Sequence, residues 1–144
     1  MGNERLINYL RFAEHTAELL GSVSTGAFVL AAAGLLEGRQ ATTHWAFYKI
    51  LEELGAKYVR RGWVEDGKFI SSAGVSIRID MALHLAARLT DEETARRVQR
   101  SLGYDPHPPF GGMDYDHLGS MRAGLSVAAP VIAAQSKRLT KQYR

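Results

Sequence analysis

The sequence predicts an α/β fold, an open and mostly parallel sheet with helices on both faces. Short apolar runs alternate with stretches in which apolar residues recur at helical spacing, and small residues or glycine stand at most changeovers. Composition agrees. Of 144 residues, 46% are apolar, and no repeat or low-complexity segment interrupts the chain. A chain of this size buries roughly 70% of the surface it exposes when unfolded, so one domain with a real core is expected, and the apolar composition argues against disorder.

Leu6, Tyr9, Leu10 and Ala13 repeat at helical spacing, which predicts a helix from about Glu4 to Ala13. The run Leu19, Leu20 and Val23 suits a buried strand of a parallel sheet. Beyond Ser24-Thr25-Gly26 the pattern turns helical from Ala27 to Ala33, ending at Gly34. A second unit follows, with a short strand from Gln40 to Thr43 and a helix from about Trp45 to Leu54 closed by Gly55. Lys57 to Arg60, Trp63 to Glu65 and Lys68 to Ser72 read as strands, the last two joined at Asp66-Gly67. Ser76 to Leu89 reads as a helix, and Thr90-Asp91-Glu92-Glu93 has the capping-box form that opens another to about Leu102. Pro106, Pro108 and Pro109 with Gly111-Gly112 make an irregular segment. The expected organisation is a domain over residues 1–120 and a basic helical tail over 121–144, with Pro130 inside it.

Charge says little about partners. Five of the 18 basic residues (Arg122, Lys137, Arg138, Lys141, Arg144) follow Met121 with no acidic residue among them, leaving 13 against 15 acidic in the first 120. A nucleic-acid interface would put a basic face on the domain itself, so no nucleic-acid partner is expected. Met1 to Arg5 leads into an amphipathic run without a signal core. The apolar stretch from Ala27 to Leu36 falls short of the about 20 residues that span a bilayer. With no cysteine to form disulfides, a cytoplasmic protein without membrane contact is the expectation. His15, His107 and His117 share no metal-ligand spacing, and neither metal nor organic cofactor is expected.

The most specific local signal is Ser22-Val23-Ser24-Thr25-Gly26. A nucleophile elbow places its central residue on a tight turn between strand and helix, with small residues two before and two after. Ser22 and Gly26 meet that requirement. The same residues also suit an inert Ser/Thr N-cap. His44 follows the second predicted strand, and ligands in open α/β sheets bind outside the carboxyl ends of the strands. It has two readings: a base or orienter beside Ser24, or a cap on its own helix. Asp80 is open to orienting His44 or to a structural hydrogen bond; His84, in an otherwise apolar helical run, reads as a packed or partly exposed core histidine.

These residues carry a resemblance. Ser22-Val23-Ser24-Thr25-Gly26-Ala27, then Ala32 to Arg39 and Ala41-Thr42-Thr43-His44-Trp45, resemble the ThiJ/PfpI family of the class I glutamine amidotransferase-like superfamily. Ser72-Ala73-Gly74-Val75-Ser76, Ile79 to Leu83 and Tyr104 to Phe110 are similar to its isonitrile hydratase-like branch. The resemblance runs from about Glu4 to Phe110 and implies a flavodoxin-like, doubly wound sheet of which this chain holds the C-terminal portion. It implies that Ser24 stands where the family has its nucleophilic cysteine, that the Thr25 N–H and hydroxyl face the substrate, and that His44 lines the pocket. Trp45, Phe47 and Tyr48 would then be pocket walls or core. The implied reaction is hydration of a small isonitrile to an N-substituted formamide, without cofactor, impaired by oxygen in place of sulfur. The alternatives are a degenerate member acting by association and a glyoxalase- or deglycase-type activity on reactive carbonyls. Family members begin with further strands and an acidic residue that bonds the nucleophile. Either the native chain is longer or a second copy covers the open edge, so a homodimer or higher homo-oligomer is expected. AraC-type regulators carry a similar domain, but the 24 residues after Ser120 are too few for a helix-turn-helix module.

Overall fold

A computed structural model describes residues 4–112 together with Ala134 and Arg138. The expected helical tail over 121–144 otherwise lies outside the described residues.

Helix α1, Glu4–Thr16, runs three residues past its predicted end. It buries Ile7 against Ala32 and Ala33, and a 3.0 Å ion pair from Glu14 to Lys68 ties its last turns to the sheet. The Lys68 bond holds the Glu14 carboxyl below the usual carboxylate range. Strand β1, Leu20–Val23, follows, and a turn leads into helix α2, Ala27–Ala32. Strand β2, Gln40–Ala41, helix α3, Tyr48–Glu53, and strand β3, Lys57–Tyr58, form the second unit. Gly55, at φ +95, ends α3 in the left-handed conformation its sequence position predicts. Strands β4, Trp63–Asp66, and β5, Phe69–Ser72, make an antiparallel hairpin closed by Gly67 at φ +64 and Lys68. Helices α4, Arg78–Leu89, and α5, Glu92–Ser101, close the described fold, and residues 104–112 are irregular as the prolines predict.

The expected α/β arrangement with mostly parallel strands is present, its strands hydrogen-bonded in two groups. β1 pairs in parallel with β5 in the order β1-β5-β4, while β2 and β3 make a separate parallel pair. Side chains take over where ladder bonds would continue. The Gln40 N–H donates to the Asp66 carboxylate at 2.7 Å. The Thr42 N–H donates to Ser71 Oγ at 2.8 Å, and the Thr42 hydroxyl donates to the Arg61 carbonyl at 3.1 Å. Thr42 leaves the strand for those partners and Thr43 for the Ser24 carbonyl, and β2 shrinks from four residues to two.

Two helical boundaries also move. The helix predicted from Trp45 splits into a 3-10 turn, Trp45–Phe47, and α3, because the Phe47 N–H takes the tighter bond to the His44 carbonyl at 2.9 Å. The capping box shifts by one residue. The Thr90 hydroxyl donates back to the Ala86 carbonyl at 2.7 Å, and Asp91 is the true cap, accepting the Thr94 N–H at 2.7 Å. That bond holds the Asp91 carboxyl below its ordinary value.

The core joins both units. Phe28 and Leu30 of α2 pack with Ile50 and Leu51 of α3, and Phe69 of β5 closes the cluster. Among the described residues no helix is long and apolar enough to cross a membrane.

Candidate functional site

Ser24 is the one non-glycine residue with a positive φ, +54, among the described residues. An L-residue there sits in a conformation costing roughly 1–2 kcal/mol, so the surrounding structure imposes it. Extended backbone at Val23 delivers the chain to Ser24, and a 3-10 turn, Ser24–Gly26, passes it into α2. This is the strand, strained turn and helix that the spacing predicts for an elbow. No side chain caps the turn, which disposes of the inert N-cap alternative. Ser24 is half-buried and Thr25 exposed. The requirement for small flanking residues is real but looser than expected: a Cβ on Gly26 would meet Ser22 Cβ at 3.9 Å, an ordinary contact.

The second turn reaches the first through Thr43. Its hydroxyl, fully buried, donates to the Ser24 carbonyl at 2.8 Å. β1 and β2 are not neighbours in one sheet, so this bond, rather than strand pairing, brings the Ser24 and His44 segments together. Thr43 lies in a run that carries the family resemblance, but its bond to Ser24 has no signature in sequence. A threonine ending a short strand is ordinary, and only the fold reveals its partner.

His44 takes the capping reading. Its Nδ1 accepts the Ala46 N–H at 3.3 Å, closing the turn Trp45–Phe47. No hydrogen bond joins His44 to Ser24 among the described residues. Its ring is half-buried against Trp45 and Phe47, with centroids at 5.3 and 5.6 Å, and burial lowers its pKa below the ordinary 6.5. A neutral imidazole that accepts at Nδ1 carries its proton on Nε2. In this arrangement His44 offers a donor at Nε2, not a base. Trp45, Phe47 and Tyr48 are only half-buried. The first two wall His44, and Tyr48 packs on Tyr58 at 5.0 Å.

Asp80 serves the structural alternative, accepting from Tyr104 Oη at 2.9 Å and linking α4 to the segment after α5. His84 is partly exposed, with Nε2 2.7 Å from Glu65 Oε2 and its ring stacked on Trp63 at 4.3 Å. Arg88 pairs with the same carboxylate. His84 and Arg88, four residues apart on α4, share Glu65 on β4, a partner that sequence spacing does not show. His15 and His107 sit 3.6 Å from Glu14 and Asp105, and His117 lies outside the described residues.

Residues 1–88 match the DJ-1/PfpI family. The chain belongs to that family. Isonitrile hydratase of Pseudomonas putida is 44% identical over 110 residues, 76% of this chain and 48% of that protein. The HTH-type transcriptional regulator CdhR of Pseudomonas aeruginosa is 37% identical over 101 residues, 67% of this chain and 30% of the regulator. The crystal structure of a ThiJ/PfpI family protein from Pseudomonas syringae superposes with a TM-score of 0.81 at 28% identity, covering 96% of this chain and 57% of its own. The chain thus spans about half the length of isonitrile hydratase and of the Pseudomonas syringae protein. Its fold is the flavodoxin-like α/β fold of that family.

Proposed function

We propose that this DJ-1/PfpI chain acts in isonitrile hydration, with Ser24 in the nucleophile's position. The positive φ of Ser24 at an uncapped strand-to-helix turn carries the reading, and the 44% identity to isonitrile hydratase supports the substrate class. The Ser24 oxygen adds to the terminal carbon of R–N≡C while that carbon gains a proton, giving a formimidate ester, R–N=CH–O–Ser. Water then adds to the same carbon, the ester C–O bond breaks, and R–NH–CHO leaves with the serine restored. The Thr25 N–H and hydroxyl face the substrate, and the His44 Nε2–H donates to the nitrogen as it gains charge. No step calls for a metal or cofactor.

No base among the described residues bonds Ser24, so the serine chain is slow. A thiol at the same position ionises near neutral pH and needs less help. The test incubates the chain and its Ser24→Cys and Ser24→Ala forms with an alkyl isonitrile and follows the formamide proton by NMR. Formamide from the Ser24→Cys form, with none from Ser24→Ala, is expected. Equal turnover by all three forms, or none by Ser24→Cys, rejects the hydratase reading.

A second reading, a non-catalytic member acting by association, is favoured by the same missing base. Among the described residues β1 has only β5 as a strand neighbour, and Tyr9 and Phe12 on α1 are 64% and 67% exposed, so self-association into a homodimer belongs to either reading. Light scattering tests it, and a monomer at micromolar concentration excludes it.

A further inference from the structure

We propose that Thr43 is a positioning residue whose hydroxyl fixes the Ser24–Thr25 peptide plane, and so aims the Thr25 N–H at whatever occupies the elbow. The inference rests on the reading of Thr25 as substrate-facing. The Ser24 carbonyl accepts two donors, the Thr43 hydroxyl at 2.8 Å and the Ala27 N–H within the turn. Both of its lone-pair directions are thereby used. The peptide is planar and trans, so its carbonyl and its N–H point in opposite directions, and pinning one aims the other.

Thr43 is itself held on a rigid base. Its neighbour Thr42 is bonded through its N–H to Ser71 and through its hydroxyl to Arg61, and both threonines are fully buried. The hydroxyl therefore has little freedom to follow the elbow if the Ser24–Thr25 peptide rotates. Rotation would have to break a buried hydrogen bond and strand a carbonyl lone pair. Ser24 sits where L-residues are uncommon, so a contact that blocks the peptide from relaxing is needed at this turn more than elsewhere. A valine would fill the volume of Thr43 and supply no donor.

The test reads the elbow without using an isonitrile. In the Ser24→Cys background, the second-order rate of thiol alkylation by iodoacetamide is measured against pH, with and without Thr43→Val and Thr43→Ser, and thermal melts establish that each form is folded. Loss of the donor is expected to slow alkylation at neutral pH about tenfold and to raise the pH midpoint. Thr43→Ser is expected to restore both. Alkylation of Thr43→Val at the parent rate and midpoint overturns the proposal, as does a Thr43→Ser form as slow as Thr43→Val, which would mean that the methyl group matters instead. If Thr43→Val fails to fold while Thr43→Ser folds, the hydroxyl serves the fold as a whole and the positioning role is rejected. Absence of isonitrile turnover with the expected alkylation pattern rejects the hydratase reading alone.

Discussion

The turns at Ser24 and His44 are built alike and finished differently. Each carries the chain from a parallel strand through one 3-10 turn into a six-residue helix, and both helices pack into the same core. At His44, the residue just before its turn, φ is negative, −53, and the side chain folds back to accept the Ala46 N–H. At Ser24 the first turn residue has a positive φ, no side chain caps the turn, and the strain is held by a bond from Thr43. A turn that satisfies itself uses up its polar side chain. Among the described residues the hydroxyl of the strained one makes no structural bond, as a reactive residue requires.

Six substitutions at four positions put that comparison at risk. Leu51→Ala, in the core shared by both turns, is expected to cost about 2–5 kcal/mol and to speed amide exchange at both turns together. Faster exchange at the His44 turn alone would show that the two do not share a foundation. Ser24→Gly is expected to raise stability by about 1 kcal/mol because glycine accepts a positive φ without strain, while Ser24→Val lowers it by about 1–3 kcal/mol. Denaturant midpoints that fall in both forms would remove strain from the account of the elbow.

His44→Ala is expected to cost about 1 kcal/mol through the lost cap. The same histidine gives a pH signature. Its folded pKa lies below the 6.5 it has when exposed, so the unfolded chain binds the proton more readily. The stability held above about pH 6.5 is therefore lost as pH falls toward the folded value. In His44→Asn, which keeps a capping acceptor, stability measured from about pH 7.5 to about 5 should lose that slope. An unchanged slope would assign it to another group. Gly26→Ala is the mildest change, expected within about 0.5 kcal/mol, since the new methyl meets Ser22 at ordinary contact distance. A larger loss would show that the elbow tolerates no side chain there at all.

Much of the fold was legible because each signal was local. Gly55 and Gly67 mark a helix end and a hairpin through their own backbone freedom, and the order of helices and strands follows the apolar spacing. Errors fell where a side chain competed with the backbone. Thr42 ended β2 early, His44 and Phe47 split a helix, and Asp91 displaced Thr90 as a cap. The elbow was legible from Ser22, Ser24 and Gly26, whereas His44 offered two roles that sequence spacing alone could not separate.

By itself, then, the sequence determined the alternating α/β order, the turn at Ser24 and the family resemblance, because backbone propensity and residue size act over a few neighbouring positions. The tertiary structure decided that His44 spends its Nδ1 on its own turn, that Asp80 serves Tyr104, and that Thr43 holds the Ser24 carbonyl. Each of the last two joins residues about twenty positions apart, and a hydrogen bond depends on a separation of about 3 Å and on direction, which only the packed chain supplies.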